Sequence, residues 1–287
     1  MDRRYSVGGG GKSFYSKGFD DFDYRNFINF CCTFFNKSLA FTLAETLIVM
    51  GIIGVVAALT LPNLNSSTGD KEKVAKVKKV YQNLNDAHDR AVAVYGPVET
   101  WFINDANSKE ANERYASRIL DFLKVSKDCA HSTGCFASSY KNLSGSVATT
   151  TVDSNANQYR AILADGTAIV FGIHSLTCTA FNSPAVTGSP HDGCGSIAVD
   201  IDNKKGPNIL GKDYFSFDIS SKIGIYPFGS FQVEYDIDKI NTQCFQTGGS
   251  CTYWVVNYDN MDYLKANRSG KCLSGNIQLS QTNTTCK

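Results

Sequence analysis

The chain has 287 residues, room for one sizeable core or two small ones, and a formal net charge of +1 with only 19% charged residues. That balance gives no bulk field to attract nucleic acid. The sequence contains no G-x-S-x-G and no H-E-x-x-H, so the common hydrolase and zinc-protease patterns are excluded.

Residues 1–40 are rich in aromatics and glycine and hold no helical or strand period. The GGGG at 8–11 lacks the strand that precedes a phosphate loop and reads as flexible. This segment is expected to be a leader or cytoplasmic tail. Phe41–Leu61 is then an apolar run of 21 residues in which Glu45 is the one charge. As a helix it rises roughly 30 Å, the thickness of a hydrocarbon core. It is longer than a signal-peptide core, no A-x-A site follows it, and so long a run without lysine or arginine is unusual for a buried soluble helix.

A second helical pattern runs from Asp70 to Tyr95. Val74, Val77, Tyr81, Leu84, His88, Ala91 and Tyr95 recur at three- and four-residue steps, while Lys71, Lys73, Lys76, Lys78, Asn85 and Asp89 take the other face. Gly96-Pro97 ends it. Residues 108–125 predict a shorter helix capped by Ser108, with Glu110 and Glu113 near its first turn and Ala116, Ile119, Leu120 and Leu123 towards the core. Beyond 145 the pattern turns to strands. The expected ones are 145–152, a hairpin over 159–173 around Asp165-Gly166, 196–202, 214–219, 230–237 and 252–259. Polar separators between them predict an antiparallel meander.

Eight of the ten cysteines follow the apolar run: Cys129, Cys135, Cys178, Cys194, Cys244, Cys251, Cys272 and Cys286. An even set beyond a membrane-length segment predicts disulfides in an oxidising compartment. About a hundred pairings are possible; the simplest joins sequence neighbours, 129 with 135, 178 with 194, 244 with 251 and 272 with 286. Zinc is the rival, but no C-x-x-C occurs. The H-D-G-C at 191–194 therefore reads as a disulfide cysteine beside a histidine, not a catalytic pair.

A carboxylate inside an apolar span costs about 2.5–3.5 kcal/mol on insertion scales, so Glu45 asks for a function. It lies one helical turn beyond Phe41. A cut between Ala40 and Phe41 would create an ammonium that a neighbouring copy could pair with Glu45, neutralising both charges and setting an axial register. The stretch Ala40–Leu64, AFTLAETLIVMGIIGVVAALTLPNL, resembles the N-terminal segment of type IV pilins and type II secretion pseudopilins. The resemblance implies cleavage by a prepilin peptidase after Ala40 (where the family usually has glycine), N-methylation of Phe41, and an assembly role for Glu45. It also implies that Pro62 loosens the end of the span and that Gly51 and Gly54 permit close helix approach.

A second segment, AVDIDNKKGPNILGKDYFSFDI at 198–219, looks like one found in pseudopilin-like proteins. Its Asp200, Asp202, Asn203, Asn208 and Asp213 offer oxygens that suit calcium, although Lys204 and Lys205 break the EF-hand pattern. The bland reading is a tight Asx-turn loop. No other cofactor and no catalytic residue is expected.

The resulting expectation is an α+β, pilin-like protein. It has a leader at 1–40, a membrane or filament-core helix at 41–61, an amphipathic continuation at 62–96 and an extracytoplasmic globular part at 97–287. A long N-terminal helix packs on an antiparallel sheet with disulfide-stapled loops. The implied function is structural, as a subunit of a type II secretion pseudopilus or type IV pilus. Its partners are other pilin or pseudopilin subunits, the prepilin peptidase and the inner membrane, which it crosses once. Nucleic acid enters only if the filament takes up DNA. A bare count of lysines flanking the span points the other way across the membrane; the motif and the cysteines place the C-terminal part outside. The alternative is a membrane-anchored extracytoplasmic binding protein or enzyme that does not polymerise.

Overall fold

Six strands follow one another in space as they do in sequence, each antiparallel to the last. They are β1 (Val125–Ala130), β2 (Tyr159–Leu163), β3 (Ala168–Ile173), β4 (Gly193–Asp200), β5 (Tyr214–Ser220) and β6 (Gly224–Pro227). Among the described residues three α-helices accompany them: α1 (Leu43–Tyr95), α2 (Lys109–Leu120) and α3 (Cys251–Tyr258). The fold is α+β, with the expected antiparallel meander. This computed structural model describes residues 42–102, 108–179, 192–230 and 241–287, with the backbone alone at 57–68 and 241–242. Contacts divide the chain into two units, Met1–Thr60 and Leu61–Lys287.

In the first unit the described residues are the start of α1. Leu43, Leu47, Ile48, Val49, Met50, Ile52, Ile53, Val55 and Val56 are all more than half exposed. Gly51 and Gly54 have open space where a Cβ would stand. Among the described residues no helix is long and apolar enough to cross a membrane; the predicted span 41–61 lies only partly within them.

In the second unit the amphipathic pattern does what its period implies. Val74, Val77, Val80, Leu84, Ala87 and Ala91 are buried against Phe171, Ile197, Phe217 and Ile219 of the sheet. Tyr81 stacks on Phe217 with ring centroids 5.5 Å apart. Tyr81 is only half-buried and Tyr95 is exposed, so the stripe is led by the small and β-branched residues. The helix stops at Tyr95 because Gly96 turns left-handed, at φ 81°, and closes the last turn onto the Val92 carbonyl. Ser108 caps α2, accepting the Ala111 amide at 3.1 Å. Ala116 and Ile119 are buried as expected, whereas Leu120 and Leu123 are half-buried.

The 159–173 hairpin forms with Tyr159 opposite Phe171 and Ile162 opposite Ala168. Its connection is longer than the two-residue turn expected. The Leu163 amide donates to the Thr167 carbonyl, and Gly166 at φ 89° closes a three-residue loop. Every residue of β3 is buried because both faces of the sheet are covered. On the second face Phe136, Tyr140 and Val152 pack over Ala168, Val170, Ala198 and Tyr214. Arg160 anchors this cover. Its buried guanidinium donates to the carbonyls of Val152, Asn155, Gln158 and His131.

Three expected elements differ. Residues 145–152 are turns and irregular chain with a single bridge from Val147 to Lys141, and Val147 is exposed, so β-branched content there has no sheet to join. The TYWVVNYD stretch at 252–259 is helix α3. It buries Cys251, Thr252, Trp254 and Val255, a one-sided helical spacing that a short apolar run does not separate from a strand. Strand β1 falls partly where the shorter helix was extended to 125; its first four residues are exposed, so it carries little apolar pattern. The expected strand 230–237 lies, beyond its first residue, outside the described residues.

The cysteines form four disulfides in the neighbour pairing: Cys129–Cys135, Cys178–Cys194, Cys244–Cys251 and Cys272–Cys286. The first two tie a loop to β1 and to β4, and the other two staple the chain beyond β6.

Candidate functional site

Two places gather the residues singled out by sequence. The first is the start of α1. Thr42 is its N-cap, and the Glu45 carboxylate reaches back to accept the Thr42 amide and hydroxyl, both at 2.9 Å. The Thr42 hydroxyl oxygen in turn lies 3.3 Å from the Glu45 amide and accepts its proton. This is a capping box, two donors of the first turn satisfied reciprocally. The signal T-L-A-E stood in the sequence unread, eclipsed by the cost of a carboxylate in an apolar run. Both Thr42 bonds end on Oε2, so Oε1 is left for another donor. A cut between Ala40 and Phe41 keeps the Phe41–Thr42 peptide, and with it the box. Ala40 and Phe41 lie outside the described residues. Pro62 is inside α1, which continues as helix through it; its side chain is not described.

The second place is the turn from β4 to β5. Asp200, buried at the end of β4, accepts the Tyr140 hydroxyl on Oδ2 and the Asp202 amide on Oδ1. Burial pushes the Asp200 carboxyl up, and the Asp202 carboxyl likewise. Asp213 is fully buried. Its Oδ2 accepts the Ile209 amide at 3.1 Å and its Oδ1 meets the Lys73 ammonium. Lys73 Nζ also lies 3.5 Å from Asp202 Oδ2. Asn203 and Asn208 sit at φ 60° and 55°, left-handed positions that asparagine tolerates, and shape the turn around the cis Gly206–Pro207 peptide.

The structure thus brings Asp200, Asp202 and Asp213 together with two residues the sequence reading left out, Lys73 and Tyr140. Lys73 was read as part of a solvated face. Nothing local in a lysine-rich helix marks which lysine meets a carboxylate 140 residues later. Among the described residues no three acidic, histidine or cysteine side chains are arranged to hold a metal. The cation that Asp202 and Asp213 face is the ammonium of Lys73, and calcium there requires Lys73 to leave. Oδ1 of Asp202, Asn203 and Asn208, three of the five residues named for calcium, is buried in this turn without a hydrogen-bond partner.

Two other lysines beyond the span are also engaged. Lys78 pairs with Asp259 at 3.0 Å and Lys79 reaches Asp165 at 3.9 Å. The described histidines do not assemble a catalytic set. His88 is buried with Nδ1 3.3 Å from the Tyr115 hydroxyl, and burial lowers its pKa. His131 is 3.8 Å from Glu113, His174 contacts Ser196 at 3.0 Å, and Cys194 is disulfide-bonded. His191 is outside the described residues. A cleft of about 490 Å³ beside α1 is lined by Lys79, Asn83, Asp86, Phe122, Leu123 and Lys124 with the 163–165 turn, and no histidine, serine or cysteine faces it.

The chain matches no protein-family model, no curated protein and no solved structure.

Proposed function

We propose that the protein is a pilin-like structural subunit. It is cut between Ala40 and Phe41, held in the inner membrane by the first part of α1, and assembled through that helix into a type II secretion pseudopilus or type IV pilus. The observation that carries this reading is the start of α1. Nine large apolar side chains from Leu43 to Val56 stand exposed around a helix that begins on a carboxylate. Full burial of each gains roughly 1.5–3 kcal/mol, so such a surface is a site for lipid or for other helices.

Glu45 fits a place between copies. Its Oε2 is committed to its own first turn, and Oε1 can take the Phe41 ammonium of a neighbouring copy in a charge-assisted bond. The four disulfides support an extracytoplasmic C-terminal part. The lysine count beyond the span weighs less against that orientation, since Lys73, Lys78 and Lys79 are spent in ion pairs of the fold.

The test is Glu45→Ala in cells that assemble the filament. Membrane insertion should persist while incorporation into filaments is lost. Unchanged filament yield removes the role given to Glu45. A monomer in detergent with an intact, unmethylated N-terminus favours the non-polymerising anchored protein instead.

A further inference from the structure

Most of the molecule's polar clusters have a plain structural account. Asp153 gathers the amides of Gly134, Cys135 and Phe136 at a disulfide loop, and Asp192 holds the turn at Ser220–Lys222. The contact between Lys73 and Asp213 is different in kind. A primary amine and a carboxyl carbon sit side by side, the acid is fully buried, and a second carboxyl touches the same amine.

We propose that Lys73 and Asp213 condense into an intramolecular amide, with Asp202 carrying the protons. The reactants are one ammonium and one carboxylate; the products are one amide and one water. Asp202, 3.5 Å from Nζ, takes a proton from the ammonium and delivers it to Asp213 Oδ1. The freed lone pair of Nζ attacks Asp213 Cγ, and the carbonyl electron pair moves onto Oδ2. The Ile209 amide, 3.1 Å away, donates to Oδ2 and stabilises that charge. A second proton passes from Nζ through Asp202 to Oδ1. The electron pair on Oδ2 re-forms the carbonyl, the Cγ–Oδ1 bond breaks, and Oδ1 leaves as water. No oxidant, nucleotide or metal is consumed.

Three features favour this chemistry over a resting ion pair. Contact within one folded chain replaces a bimolecular encounter, and well-oriented intramolecular reactions reach effective molarities of about 10⁵–10⁸ M. Amide formation removes two charges at once from a place where Asp213 has no exposure, while Asp202 sets a further carboxyl beside the pair. The Asp202 carboxylate stands 3.5 Å from the same Nζ, within reach to take up and pass on the amine's protons. The product would tie helix α1 covalently to the β4–β5 turn. It needs only the folded second unit, so it stands or falls separately from filament assembly.

The test is peptide mapping of the folded, full-length protein after disulfide reduction. The expected result is an intact mass lower by one water and a branched peptide joining the segments that contain Lys73 and Asp213. After unfolding, Lys73 should resist amine-reactive labelling while Lys71 and Lys76 accept it. A succinimide would also lose water, but it gives no branched peptide. Asp202→Asn, with folding verified by circular dichroism, should leave the chain unbranched or branch it at least tenfold more slowly. Full recovery of linear peptides with a labelled Lys73 from folded wild-type protein overturns the proposal.

Discussion

Helix α1 carries two surfaces built for different surroundings. From Leu43 to Val56 it is apolar on every side and exposed, with Leu43 at 79% and Met50 at 72% exposure. From Val74 to Ala91 it is apolar on one stripe, and that stripe is closed, with Val77, Leu84, Ala87 and Ala91 at 0%. The same backbone geometry serves both; only the period of the side chains differs. A stripe announces a partner within the chain, and an all-round apolar surface announces one outside it. Glu45 belongs to the first surface, where it closes a capping box with Thr42, and Lys73 to the second, where it meets Asp213.

Substitutions can separate the two. Ile52→Lys places a charge in the first surface and should abolish membrane retention and filament incorporation. Thermal unfolding of the second unit, followed by near-ultraviolet circular dichroism, should stay unchanged. Leu84→Ala should do the reverse, destabilising the second unit by about 2–5 kcal/mol through the cavity left under the sheet while sparing membrane insertion. If Ile52→Lys lowers the melting temperature as much as Leu84→Ala does, the division between the surfaces fails.

Protons sharpen the contrast, because buried carboxyls belong to the second region. Asp218 on β5 is buried and its carboxyl is pushed up to about 7 by that burial. Its folded pKa thus exceeds its unfolded value of about 4. The folded state holds the proton more tightly between those values, so stability falls as pH rises through the window and levels off above it. Asp200 and Asp202 shift the same way. Asp218→Asn should therefore flatten the fall between pH 4 and 7 by a few kcal/mol, as an order of magnitude. An unchanged slope in urea titrations at stepped pH would mean that Asp218 is not the group responsible. The smallest expected effect is at a helix end: Ser108→Ala should cost about 1 kcal/mol by removing the cap of α2, measured by the same titration at fixed pH.

Much of the second region could be read in advance, for physical reasons that also explain the misses. The 159–173 hairpin declared itself through Asp165-Gly166 and flanking β-branched residues, and Ser108 declared the start of α2. Neighbouring cysteines paired because each closes a local loop. By contrast, TYWVVNYD suits a strand and a helix equally until Cys251 is tied to Cys244 and Trp254 finds Asn260. Residues 145–152 have strand composition but make only the single bridge from Val147 to Lys141. At the candidate sites, Asp200, Asp202 and Asp213 were legible as a cluster, but the cation they face was not, since Lys73 comes from an element far away in sequence. Burial of Arg160 among four backbone carbonyls left no local trace either.

In the proposed assembly, cleavage between Ala40 and Phe41 makes a costly glutamate the partner of a new ammonium. N-terminal sequencing and intact mass of the protein from native membranes test it directly. The account predicts a chain that begins with N-methylated Phe41 and lacks residues 1–40. Recovery of mature protein with residues 1–40 still attached would contradict it.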